Sequence, residues 1–187
     1  MKPRSLFGHL AWTMGAREPA HDYGIFRTAF VDGRHPQVDH GKRFSVIDCG
    51  DWVNVIALTA AQEVVLVRQF RAGTGQVCLE IPGGMVDAGE APEVAAAREL
   101  FEETGYRAPT WRQLGKVAPN PAIFGNRLHV FLAEGAVSAG APEPEGSEVI
   151  DVELQPLSVT WRLIREGAID HALVVAAFAH LAALQAP

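Results

Sequence analysis

Three glutamates, Glu99, Glu102 and Glu103, crowd into five consecutive positions of a segment that reads as a helix over 92–104. Pro92 suits the first helical turn, where its missing N–H costs little, and Gly105 suits the C-cap. At 100° per residue the three carboxylates share an arc of about 100°. Val94, Ala97, Leu100, Phe101 and Thr104 fall on the other side, which is expected to face the core. Glu99 and Glu103 are like charges one turn apart, and Arg98 with Glu102 is an opposite pair that partly offsets them. Two chemistries are open to such a face. Its carboxylates can simply be solvated, or they can hold a hard divalent cation such as Mg²⁺, which is bound through a few carboxylates and substrate phosphates.

The wider spacing separates the two. Gly84, five residues, Glu90, seven residues, Arg98-Glu99-Leu100, one residue, Glu102-Glu103, one residue and Gly105-Tyr106 is a run expected by chance on the order of once in a billion per register. It resembles the Nudix box, and the chain is similar to the Nudix hydrolases, enzymes that cleave a nucleoside diphosphate linked to another moiety. The resemblance is strongest in the box and extends more weakly from Tyr23 to Leu181. It implies an α/β fold, a mixed sheet sandwiched between helices with antiparallel N-terminal strands, and a box folded as strand, loop and helix. It also implies that Glu99, Glu102, Glu103 and the Gly83 carbonyl ligate metal, Mg²⁺ or Mn²⁺ in its place. Arg98 would orient the box glutamates and Glu90 would tie the loop to the helix, with Gly84 and Gly105 as structural glycines. Tyr106 departs mildly, standing where an aliphatic residue is commoner.

Within this resemblance a general base comes from Glu102 or Glu103, or from the acidic loop 142–148. In the branch acting on ADP-ribose an acid just before the last strand holds metal or activates water. Glu148 matches it best by distance to the strand, and Glu145 second. Other residues resemble the same branch: Arg71 as a phosphate contact, Arg68 as a second one or else an ordinary exposed strand residue, Glu80 as the acid before the glycines, and Pro121 fifteen positions after Tyr106. Ala122 departs from the glycine common after that proline. Tyr23, Phe26, Phe30 and Trp52 are read as core aromatics or as stackers on a nucleobase, while Trp111, Trp161 and His129 are read as structural. The activity implied is hydrolysis of nucleoside diphosphate sugars, ADP-ribose foremost, to a nucleoside monophosphate and a sugar phosphate. The alternatives are hydrolysis of dinucleoside polyphosphates or oxidised nucleoside triphosphates, and a non-catalytic sensor of nucleotide sugars.

These side chains need a scaffold. A chain of 187 residues, 48% hydrophobic and 20% charged, can bury a full core in one domain and is no disordered or fibrous sequence. Its net charge of −6 offers no footprint for duplex DNA or anionic lipid, so neither nucleic acid nor membrane is expected as a partner and a small anionic substrate stays open, which the resemblance implies to be a nucleotide sugar. Cys49 and Cys78 form no metal or disulfide framework, which suits a reducing cytoplasm. The apolar start is broken by His9 and glycines, and the run 172–184 is too short to span a bilayer, so neither a leader nor a span is expected. Strands are expected over 23–32 and 42–48 with a turn near Asp32-Gly33, then over 52–59, 64–70, 78–81, 112–117, 128–133 and 149–154, with a loop over 135–146. Further helices are expected over 158–166 and from an N-cap at Asp170, the last apolar almost all round. Residues 1–22 are expected to be irregular and 23–187 to form the Nudix domain. Its strands over 23–48 would be exchanged in a homodimer.

Overall fold

The computed structural model describes residues 8–38, 40–144, 146 and 148–185. Their contacts group into two compact units, one built on the N-terminal strands through Cys49 with Asn120–Asn126, the other on Gly50–Pro119 and the chain from Arg127 onward.

In the first unit, β1 (Thr13–Asp22), β2 (Arg27–Arg34) and β3 (Gly41–Asp48) form an antiparallel sheet in chain order. Ala29 and Val31 supply its buried face. Two sequence expectations are corrected here. The stretch 1–22, expected to be irregular, contains β1, which is exposed along its whole length. TMGAREPAHD lacks any apolar alternation; the strand is held by its pairing with β2 and by the ion pairs Arg17–Asp48 and Glu18–Arg43. The hairpin turn lies at 35–38, not at Asp32-Gly33, because Gly33 is a strand residue on which rings rest: a Cβ there would lie 2.9 Å from Phe44 and 3.2 Å from Trp12. Tyr23 precedes β2 in a turn where the Asp22 carboxylate accepts from the Gly24 N–H at 2.8 Å and from Arg27 at 2.7 Å. Pro121 falls in a turn of this unit that is joined to β3 by the Ile47 N–H donating to the Ile123 carbonyl at 2.8 Å.

In the second unit, side-chain alternation along the central strands sorts the core into two layers. The strands are β4 (Trp52–Leu58), β5 (Glu63–Arg71), β6 (Gln76–Glu80), β7 (Tyr106–Arg107), β8 (Thr110–Val117), β9 (Leu128–Glu134), β10 (Val137–Ser138) and β11 (Ile150–Pro156). The mixed sheet runs β11-β5-β4-β9-β8, with β6 on β5 and the small pair β10-β7 apart. Only β4 and β9 are parallel in it, and both are buried on both faces, as parallel pairs usually are. Val53, Val55 and Ala57 of β4, with Val65 and Phe131, pack on Ala95, Ala96 and Leu100 of α1 (Pro92–Thr104). Ile56 and Leu58, with Leu66, Leu128, Val130 and Leu132, face the other way, onto Val174, Ala177, Phe178 and Leu181 of α3 (Ala172–Gln185). Trp161 of α2 (Leu157–Arg165) meets Phe178 edge-on at 5.2 Å. The result is the expected mixed sheet between helices. Asp170 is not the cap of α3: the helix starts at Ala172, and the His171 ring nitrogen receives the Leu173 N–H at 3.3 Å. Among the described residues no helix is long and apolar enough to cross a membrane.

Helix α1 starts at Pro92 and stops at Gly105, whose φ of 72° is left-handed and whose N–H donates to the Phe101 carbonyl. That end of α1 also seats a loop: the Ala139 N–H donates to Gly105 and the Glu143 N–H to Glu102, each at 2.8 Å. A Cβ on Gly105 would collide with the Gly140 carbonyl. Strain at positive φ and a backbone clash therefore coincide. Gly105→Ala is expected to cost roughly 2 kcal/mol of stability, read as a lower denaturant midpoint at unchanged slope.

Candidate active site

The loop after β6 is an extension of the sheet. Val55 donates to the Pro82 carbonyl at 2.8 Å, Val53 to Gly84 at 2.9 Å, and Val86 returns a bond to Asp51 at 2.9 Å, so Pro82 to Val86 lie along β4. This close approach explains the glycines. A Cβ on Gly83 would collide with the Val53 carbonyl, and one on Gly84 would collide with the Glu99 carboxylate. Asp51 anchors the far end of the ladder. Its carboxylate accepts from the Arg127 N–H at 2.8 Å and meets the buried His129 ring at 2.9 Å, and Gln113 lies 3.1 Å from the other ring nitrogen. Burial opposes ionisation of Asp51, but the bonds from His129 and Arg127 outweigh it and hold its pKa below the usual carboxylate range.

Across this loop lies the acidic face of α1, rotated inward from the sequence expectation, although Leu100 and Thr104 are buried as expected. Ala95, Ala96, Leu100, Glu103 and Thr104 are buried, whereas Val94 is 58% exposed and Ala97 is exposed too. The small alanines let the helix sit close on β4, and that rotation carries Glu103 inward with them. Phe101, expected in the core, is half-buried under the Arg107 guanidinium, 4.0 Å from its ring centre.

Arg98 organises the other glutamates. It donates to Glu90 at 3.1 and 3.0 Å, to Glu99 at 2.9 Å, to Glu102 at 3.0 Å and to the Met85 carbonyl at 3.0 Å. Glu90 also accepts from the Asp87 N–H at 3.1 Å, which closes the loop onto the helix. The bonds from Arg98 lower the pKa of Glu90. Glu103 has no such guanidinium; it accepts from the Gly83 N–H at 3.0 Å. Burial, reinforced by the charges of Glu99 and Glu148, pushes its pKa up to about 8, and burial raises that of Glu99 as well.

On β5, period-two alternation puts Gln69 and Arg71 on the α1 side of the sheet and Arg68 on the other. Arg71 makes a bidentate pair with the buried Glu80, at 2.8 and 3.0 Å, which raises its pKa further. Arg68 instead pairs with Glu153 at 2.8 Å. The fold does not bring it to the box. Glu148 comes in from the loop before β11, where Ile150 pairs with Gln69, so two more residues of that register would set Glu148 opposite Arg71. The Gln69 amide donates to Glu148 at 3.1 Å. Glu145 lies outside the described residues. Sequence reasoning passed over Gln69 and Asp51; the alternation that marks Arg71 would have marked Gln69 as well.

Six carboxylates, those of Glu80, Glu90, Glu99, Glu102, Glu103 and Glu148, thus surround two guanidiniums, Arg71 and Arg98. Among the described residues no three acidic, histidine or cysteine side chains converge closely enough to hold a metal ion as they stand. Glu99 and Glu102 are turned to Arg98 and Glu103 to Gly83. The donor set nonetheless fits a hard divalent cation: it is all oxygen, it carries excess negative charge, and the buried Glu103 resists ionising without a counter-charge.

A family model, the NUDIX domain, matches residues 51–178. The chain is 32% identical over 126 residues to an ADP-ribose pyrophosphatase of Mycobacterium tuberculosis, covering 66% of this chain but only 61% of that enzyme. It is 31% identical over 173 residues to a GDP-mannose pyrophosphatase of Cronobacter sakazakii, covering 87% of this chain and 90% of that one. The crystal structure of an ADP compounds hydrolase shares the fold, with a TM-score of 0.82 over 94% of this chain and 95% of that one at 21% identity. A domain match over more than half the sequence and a relative aligned almost end to end point the same way: the chain belongs to the Nudix family.

Proposed function

We propose that this protein is a divalent-metal-dependent hydrolase of nucleoside diphosphate sugars, ADP-ribose foremost, releasing a nucleoside monophosphate and a sugar phosphate. The observation that carries the reading is the buried, under-neutralised Glu103 set among Glu99, Glu102 and Glu148 beside Arg71. The pyrophosphatase names of two relatives support the substrate class.

Glu99, Glu102, Glu103 and the Gly83 carbonyl would hold Mg²⁺, or Mn²⁺ in its place. The bound ion would neutralise the diphosphate and lower the pKa of a water. Arg71 spends Nε and Nη2 on Glu80, which fixes the guanidinium and leaves Nη1 for a phosphate oxygen. Water attacks one phosphorus, its proton passes to a carboxylate, Glu148 or a box glutamate, and the bridging P–O bond breaks with its electrons leaving on the second phosphate. Positioning and charge do most of this work.

Purified protein with Mg²⁺ should turn over ADP-ribose with a kcat/KM at least about tenfold above that for dinucleoside polyphosphates or oxidised nucleoside triphosphates. A reversed preference selects the alternative substrates. No turnover of any diphosphate, together with tight binding of a nucleotide sugar, selects the sensor. The protein is further proposed to act in the cytoplasm, where Cys49 and Cys78, not joined in a disulfide, stay reduced. It is also proposed to be a homodimer through the N-terminal strands, since β1 is an edge strand exposed over ten residues and such edges tend to be paired or covered. Light scattering at low micromolar concentration should return about twice the mass of one chain; a single-chain mass would refute the dimer.

A further inference from the structure

Gln69 is an odd residue to find deep in a strand. Only 7% of it is exposed, yet its carbonyl oxygen Oε1 has no hydrogen-bond partner in the structure. Its orientation is not arbitrary: the amide faces the Glu148 carboxylate at 3.1 Å, and a carboxylate can only accept, so Nε2 must be the atom turned toward it. That choice leaves Oε1 as a buried acceptor without a donor, so the contact to Glu148 is kept at the cost of an unsatisfied polar atom, which native proteins rarely tolerate without a functional return. The side chain stands two residues before Arg71 on the same face of β5. The Glu148 it holds is close enough to raise the pKa of Glu99 and Glu103.

We propose that Gln69 is a positioning residue for the hydrolytic step: Nε2 fixes the Glu148 carboxylate toward the box, where it takes a proton from the attacking water. The inference rests on the reading of Glu148 as the loop acid of the reaction. One water proton moves to Glu148 as the oxygen bonds to phosphorus; the other stays on that oxygen, and the bridging P–O bond breaks with its electrons leaving on the second phosphate. The strand position explains why an amide is used here. The side chain rises from the rigid β5–β11 ladder, whereas Glu148 sits on the loop leading into β11 and is itself exposed.

The test is a double-mutant cycle on the full-length protein with Mg²⁺ and ADP-ribose. Gln69→Met keeps the length and loses both polar atoms. It is expected to lower kcat roughly 10–100-fold and leave KM within about twofold, because it acts on the base and not on the nucleotide. In a Glu148→Gln background the same change should cost less than about twofold, since a residue that works through Glu148 has nothing left to position. An unchanged kcat in Gln69→Met, or an equal loss in both backgrounds, overturns the proposal; equal loss is what a merely structural glutamine gives. Hydrogen exchange at residues 148–150 supplies a readout independent of turnover. It should quicken in Gln69→Met, and unchanged protection there overturns the anchoring of Glu148. If the wild-type protein hydrolyses no diphosphate, the proposed function fails by itself, while the exchange measurement still decides the anchoring.

Discussion

Glu103→Gln is expected to abolish turnover while raising the alkaline stability of the metal-free protein. The substitution keeps the volume and can keep the bond from the Gly83 N–H, but it removes an anionic donor. If the ion contributes several kcal/mol to the transition state, kcat falls by at least roughly a thousandfold. The stability effect has the opposite sign. Burial and the charges of Glu99 and Glu148 raise the pKa of Glu103 from 4.5 to about 8 in the folded chain, so the native state binds this proton more tightly than the unfolded state. The associated stabilisation is fully present below about pH 4.5 and is lost as pH rises to about 8. A glutamine never ionises. Metal-free Glu103→Gln should therefore melt above the wild type at pH 8.5, by about 2–8 °C for a chain of this size, with the gap closing toward pH 4.5. Saturating Mg²⁺ should reverse the order, because the wild type binds it more tightly and gains more from it. Thermal melts across pH with and without metal check both halves; a variant less stable at pH 8.5 without metal would remove the charge argument.

The second large effect is expected at Arg98, where one guanidinium serves Glu90, Glu99, Glu102 and the Met85 carbonyl. Arg98→Met leaves three partly buried carboxylates facing one another with no counter-charge. Removing one partner of such a network costs about 3–5 kcal/mol when it is deeply buried. Arg98 is 26% exposed, so solvent screens part of this, and a loss of roughly 2–3 kcal/mol is expected. Turnover should fall as well, since Glu99 and Glu102 lose their fixed orientation. Arg98→Lys should not restore it, because an ammonium cannot reproduce the forked contacts to three carboxylates and a carbonyl. Urea unfolding measures the first effect and steady-state kinetics the second; full activity in the lysine variant would contradict the orienting role.

Elements with local signals were legible in the sequence. Helix α1 runs from its proline to its glycine as read, and β3, β4, β5 and β9 follow from dense apolar or alternating runs. What escaped depends on partners distant in sequence. β1 has no pattern of its own and exists through its ladder with β2. Gly33 looks like a turn residue until the rings of Phe44 and Trp12 are placed over it. The rotation of α1 is the instructive failure. A helical wheel weighs Val94 and Phe101 above alanine, yet close packing against β4 favours Ala95 and Ala96, and the carboxylates follow them inward. In the site, the box spacing located Glu99, Glu102, Glu103, Arg98 and Glu90 on one loop and helix. Arg68 and Arg71, three apart on a strand, were expected to share a role, although an odd separation sends them to opposite faces. Gln69 was silent because an uncharged strand residue announces nothing until its buried amide is found against Glu148.

Everything proposed for the site requires that the box carboxylates hold a divalent ion. Electron paramagnetic resonance during Mn²⁺ titration counts free and bound ion directly and needs no substrate. Bound Mn²⁺ is expected with the wild-type protein, strengthened by a non-hydrolysable ADP-ribose analogue and displaced by Mg²⁺, with affinity lowered at least roughly tenfold in Glu103→Gln. A wild-type spectrum that remains that of free Mn²⁺, with and without the analogue, would contradict it.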